Sequence, residues 1–176
     1  HSDKTKDMPP NGLIAFCSFY KNHYDECIKN PNTLTSIRFK LKKDSNDINL
    51  VSSFTIILYP NSVFMISLNT NRLYTHEIIP SRLPNDRIPT RMGYVARCSN
   101  TLACHKDGIT SILDNDEDED TVERSLEEPT ESDIAELKHL YFLENTTSEH
   151  IEYNKTYFSL NKGDYMRPVN SPTLRV

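Results

Sequence analysis

The sequence predicts a mainly β chain, a sandwich or jelly roll, carrying an acidic loop and a C-terminal helix. Three observations carry this reading. Short β-branched and aromatic runs, broken by Asn, Pro and Ser clusters, fill residues 12 to 99; an acid-rich block follows from 114 to 133; helical spacing of apolar residues begins after it. The expected divisions are a β core over residues 1–113, an acidic loop over 114–133, and a helix-and-strand extension over 134–176.

Taken in order, "LIAFCSFY" (13–20) is apolar enough for a buried strand. "SIRFKLKK" (36–43) alternates, which places Ile37, Phe39 and Leu41 inward and Arg38, Lys40 and Lys42 in water. "FTIILYP" (54–60), "SVFMISL" (62–68), "RLYTHEI" (72–78) and "RMGYVARCS" (91–99) read as further strands, with turns at Pro60-Asn61 and at Asn69–Asn71. Phe64 and Met65 read as core. Closely spaced antiparallel strands of this kind suit a sandwich or jelly roll.

The block "DNDEDEDTVERSLEEPTESD" reads as a solvated loop. Thr130 caps a helix with Asp133 three residues on, and Ile134, Leu137 and Tyr141 form its apolar face, which suits packing on a sheet edge. "TYFSL" (156–160) reads as one more strand, and a Pro- and Asn-rich tail follows from Asn161.

The 176 residues suffice for one domain with a core and an appendage. Hydrophobic residues make up 36% of the chain and mean hydropathy is -0.60, with no apolar run near the roughly 20 residues of a membrane helix. No signal or transit peptide is legible; the start at His1 rather than Met marks a processed, tagged or partial chain. A net charge of -5 offers no whole-chain positive field for nucleic acid or an anionic membrane. Cys17, Cys27, Cys98 and Cys104 lack zinc-site spacing and read as free thiols of an intracellular protein, cytoplasmic or nuclear. The sequons at Asn145 and Asn154 read as chance in so Asn-rich a chain.

The chemistry-bearing residues begin with "RMGYVAR" (91–97), whose alternation puts Arg91, Gly93, Val95 and Arg97 on one face. Two buried guanidinium groups without partners would cost several kcal/mol each. Protein carboxylates answer them, a small acidic ligand does, or the face is exposed; all three readings stay open. His76 sits among Leu73, Tyr74, Ile78 and Ile79 and is expected half-buried. Tyr74 either lines a site or fills the interior, and Glu77 points to the other face. His105 beside Cys104 reads as a surface residue. In "HSDKTKD", His1 and Asp3 share a face of an extended segment, and His76 from a later strand completes a two-histidine, one-carboxylate set that holds Fe(II) with open positions. In enzymes with that set, 2-oxoglutarate takes two positions and O2 the third, and a cation further along the sheet grips the far carboxylate.

H-x-D, a long gap, His, then R-x5-R on the next strand resembles the C-terminal two thirds of an AlkB-like Fe(II)/2-oxoglutarate-dependent dioxygenase. The likeness spans roughly His1 to Ser99: "HSDKTKD" matches the metal-binding opening, "LIAFCSFY" the strand after it, "YPNSVFMISLNTNRLYTHEI" the hairpin to the distal histidine, and "RMGYVAR" the arginine strand. It implies part of a double-stranded β-helix (jelly roll), beginning at the first metal ligand and lacking the preceding strand and substrate lid. By that resemblance His1, Asp3 and His76 ligate Fe(II). Arg91 pairs with the C5 carboxylate of 2-oxoglutarate, and Arg97 lies near its metal end. O2 is then the second co-substrate, and the target is an alkylated nucleic acid or methylated protein, with no membrane partner. Two positions depart from the repair enzymes of the family: Thr5 stands where they have an acidic residue, and Gly93 where the bacterial type has asparagine. Two alternatives accompany this reading. One is a copper histidine brace using the His1 amine and imidazole with His76. The other is a secreted β-sandwich interaction module with two disulfides and an acidic loop for a basic partner.

Overall fold

The computed structural model describes residues 1–21, 31–45, 47–114 and 122–167. The chain is mainly β, with three antiparallel sheets and a C-terminal helix. It divides into two compact units, one of residues 1–98 and 141–151, the other of residues 99–140 and 152–176.

In the first unit, β1 (Leu13–Lys21) lies between β4 (Ser62–Ser67) and β6 (Thr90–Arg97), and β2 (Ser36–Leu41) lies between β3 (Ser53–Ile57) and β5 (Tyr74–Ile79). The two sheets face each other across a core of Ile14, Phe16, Ile37, Phe39, Leu58, Ile66 and Tyr74. Phe16 stacks on Phe64 at 4.8 Å and meets Phe39 edge-on at 6.5 Å, so aromatic rings from both sheets interlock. Alternation places these residues: Ile14 and Phe16 point inward from β1, while Leu13 and Phe19 point outward and are exposed. β1 is therefore buried on one face only.

Several sequence expectations change here. β3 and β4 belong to different sheets, so the Pro60-Asn61 turn, with Asn61 at φ 52°, carries the chain from one sheet to the other. β4 and β5 are likewise separated, so no hairpin leads to His76. Between them Leu68–Leu73 form a short helix, α1, whose N-terminal N–H at Thr70 is accepted by the Ser67 hydroxyl, in place of the expected turn and the first residues of a strand. Met65 is 63% exposed because it faces away from the core, whereas Phe64 packs against it. Lys42 is buried rather than solvated: β2 ends at Leu41, so the alternation no longer governs the next side chain.

In the second unit, β7 (Leu102–Lys106), β8 (Ile109–Asp114) and β9 (Val122–Ser125) form the third sheet. Asp107 (φ 51°) and Gly108 (φ 83°) make the tight turn joining β7 to β8; both are left-handed, the geometry that matches the strands' own twist. Residues 115–121 of the acidic run lie outside the described residues, and β9 occupies residues expected as loop. Residues 156–160 form no strand; the Tyr157 carbonyl instead accepts a hydrogen bond from Glu127 N at 2.8 Å. The second helix, α2 (Glu131–Thr146), has residues 131–140 in this unit and 141–146 in the first, and starts as its cap residues dictate: Asp133 N donates to the Thr130 hydroxyl, and Thr130 N donates to the Asp133 carboxylate. Those bonds from Thr130 hold the Asp133 carboxyl below its usual range.

Cys17, Cys98 and Cys104 are free thiols, and Cys27 lies outside the described residues. Among the described residues no helix is long and apolar enough to cross a membrane.

Candidate metal centre

His1 pairs with His76 through two main-chain bonds, His1 N to His76 O (3.0 Å) and His76 N to His1 O (2.7 Å). Residues opposed in this way share a face, so the two imidazoles stand side by side with centroids 4.5 Å apart. Asp3, two residues on, returns to that face, with its carboxylate 3.8 Å from His1 Nε2. One donor atom each from His1, Asp3 and His76 lies within 4.8 Å of the others. Three donors sharing one ion at bonds of about 2.1 Å sit about 3.0–3.6 Å apart, so the side chains must draw together by an ångström or more to close the set on an ion.

The surroundings suit a cation. His76 is buried between Phe16 (5.4 Å) and Phe39 (5.8 Å), and among the described residues neither its Nδ1 nor Asp3 Oδ2 has a hydrogen-bond partner. Buried acceptors are rarely left unpaired, so two at one point mark a place for a bound group. Burial pushes the His76 imidazole below its ordinary value, and the Asp3 carboxylate pulls the other way without cancelling this. A neutral imidazole is the form that ligates.

Among the described residues the segment bearing His1 and Asp3 has main-chain pairing to a strand at His76 alone, and distant side chains hold it. Asn71 on α1, 1% exposed, accepts from Asp3 N and donates to Asp3 O, both at 2.8 Å. Asn145 on α2 accepts from Ser2 N at 2.8 Å, and Glu144 accepts from Thr5 N at 3.2 Å and from the Thr5 hydroxyl. The amide of Asn145 is thereby committed, its nitrogen donating to Tyr141 O. Lys4 lies over the Tyr141 ring at 4.2 Å. The end of α2 is fastened by Lys42, whose Nζ donates to the carbonyls of Glu144 (2.5 Å) and Thr147 (2.9 Å), and by Asp44, which accepts from Ser148 N at 2.7 Å.

The arginines meet the register that alternation demands. β6 pairs with β1 so that Arg91, Gly93, Val95 and Arg97 oppose Tyr20, Ser18, Phe16 and Ile14. Ser18, Phe16 and Ile14 face the core, so both arginines point to the face where Phe16 meets His76. Arg91 is half-buried and Arg97 exposed. Among the described residues no carboxylate lies within ion-pair reach of either; Arg91 Nε donates to the Ser18 hydroxyl at 2.9 Å. Arg38 and Lys40, on β2, do have a carboxylate, Glu77, which they hold below its usual range.

Sequence reasoning reached all three cluster residues and missed those that hold them. Tyr74 fills the core, 5% exposed, with its hydroxyl donating to Val51 O. Glu77 points away from the cluster. His76 is more deeply buried than expected, and His105 is half-buried and bonded to Thr110. The chain is thus a mainly β protein with a His–Asp–His candidate metal centre. No family model, curated protein or solved structure matches it.

Proposed function

We propose that this chain carries the centre of an AlkB-like Fe(II)- and 2-oxoglutarate-dependent dioxygenase on a double-stranded β-helix (jelly roll). The carrying observation is the convergence of His1, Asp3 and His76 with two buried acceptor atoms left unpaired. Two imidazoles and one carboxylate suit Fe(II) and leave coordination positions for co-substrate. The bound metal would supply the activation of O2. One oxygen atom of O2 enters 2-oxoglutarate, giving succinate and CO2, and the other converts a substrate C–H to C–OH. On an N-methyl group of a nucleic acid or protein, the product loses formaldehyde and leaves N–H.

The chain's own residues supply grip and orientation. His76, neutral and walled by Phe16 and Phe39, offers a fixed nitrogen. Asn71 sets Asp3 opposite it. Arg91 and Arg97, on the same face and with no carboxylate of the described residues in ion-pair reach, suit a diacid, Arg91 at its C5 end. The His1 nitrogen is spent on the His76 carbonyl and turned to the sheet, which weighs against a copper brace.

The test is anaerobic Fe(II) loading followed by 2-oxoglutarate and O2, with succinate measured. Succinate should form and should vanish in His76→Ala. Turnover indifferent to that change removes the cluster from the reaction.

A further inference from the structure

We infer that Gly93 sets the length of diacid the site accepts, by letting the Arg91 side chain fold back along β6 toward the metal cluster. This rests on the dioxygenase reading above and adds to it a residue that touches no ligand.

The geometry is local and well defined. A Cβ on Gly93 would stand 2.9 Å from Arg91 Nη2, 3.2 Å from Nη1 and 3.3 Å from Cζ. These distances mean that the terminal edge of the guanidinium lies against the bare Cα. The side chain of residue 91 thus reaches the level of residue 93, where Ser18, fully buried, accepts from its Nε. With Nε engaged, the two terminal nitrogens remain for a carboxylate. The next inward pair along the ladder is Phe16 with Val95, and Phe16 is the residue whose ring touches His76. One inward repeat is two residues, about 7 Å of strand. Extended instead of folded back, Arg91 would present its charge a further repeat away.

The span between metal and guanidinium is therefore shortened by a glycine and a serine hydroxyl. A methyl at residue 93 pushes Nη2 back by at least the half ångström that separates 2.9 Å from ordinary contact at 3.4 Å. The flexible side chain can yield without cost to the fold, so the substitution acts on the ligand. The matching ligand is a short 2-oxo diacid of the 2-oxoglutarate class; one methylene more should suit the displaced arginine better.

The experiment titrates the Mn(II)-loaded chain with 2-oxoglutarate and with 2-oxoadipate by calorimetry, so that binding is read apart from turnover. Gly93→Ala should weaken 2-oxoglutarate about tenfold, the size of one charge-assisted hydrogen bond, and 2-oxoadipate distinctly less. Ser18→Ala should weaken 2-oxoglutarate in the same direction, and Ser18→Thr, which keeps the hydroxyl, should restore it. Circular dichroism on each variant checks that the fold is kept. If 2-oxoglutarate binds and needs Arg91, but neither Gly93→Ala nor Ser18→Ala alters the preference between the two acids, the inference is overturned and the dioxygenase reading stands. If Arg91→Ala leaves 2-oxoglutarate binding unchanged, the dioxygenase reading itself falls.

Discussion

Replacing Asn71 by leucine isolates what holds the first two ligands. Leucine keeps the branch at Cγ and is a good helix former, so α1 should persist while both bonds to Asp3 are lost. Each bond is 2.8 Å long and leaves behind a main-chain group of Asp3 that is partly buried. An unpaired buried group costs about 1–3 kcal/mol; with some water able to reach these two, the loss should total about 2–3 kcal/mol. Freed, Asp3 need not face His76, and loss of a ligand's supporting bonds typically lowers metal affinity about 10- to 100-fold. Denaturant unfolding of the metal-free chain reads the first quantity, and Mn(II) titration of the folded chain reads the second. A variant that loses stability yet binds Mn(II) as tightly as the parent would refute the positioning argument, leaving Asn71 as a support of the fold alone.

Lys42 gives a pH signature. Burial lowers its pKa from 10.5 to about 8, outweighing the Glu144 carboxylate that raises it. Between those values the unfolded chain binds more protons than the folded one, so this group adds stability as pH rises from 8 to 10.5 and costs stability below 8. The shift corresponds to about 3 kcal/mol. Denaturation across that window should show the parent gaining this much relative to Lys42→Met, and parallel curves would contradict it. At the other end of α2, Thr130→Ala removes the acceptor of Asp133 N and should cost about 1 kcal/mol, with faster amide exchange confined to the first turn. Unchanged exchange there would mean the cap contributes nothing.

The sheets were legible wherever alternation met burial: along 36–41 Ile37 and Phe39 are buried and Lys40 is exposed, whereas 91–97 pairs as a strand but is exposed on both faces beyond Arg91. Pattern alone does not say which face of 62–67 is inward, so Met65, expected in the core with Phe64, lies on the exposed face instead. Asp107-Gly108 between two apolar runs is a hairpin signal in the sequence, whereas "TYFSL" has strand composition but forms no strand. The cluster itself was legible because His1 and Asp3 share a period and His76 lies in an apolar strand. Its supports were not. Asn71, Glu144 and Asn145 act across 68, 139 and 143 residues of chain, and no local spacing announces a contact of that range.

The tether from Asn145 to Ser2 carries a consequence for biogenesis. Within this chain the candidate ligand segment is made before its distant anchor, so until residues 144 and 145 have been made their side chains are not there to hold Thr5 and Ser2. Full ordering of His1 and Asp3 beside His76 is then expected only once synthesis has passed the second helix. Any truncation that removes this helix should loosen the cluster while sparing all three of its residues.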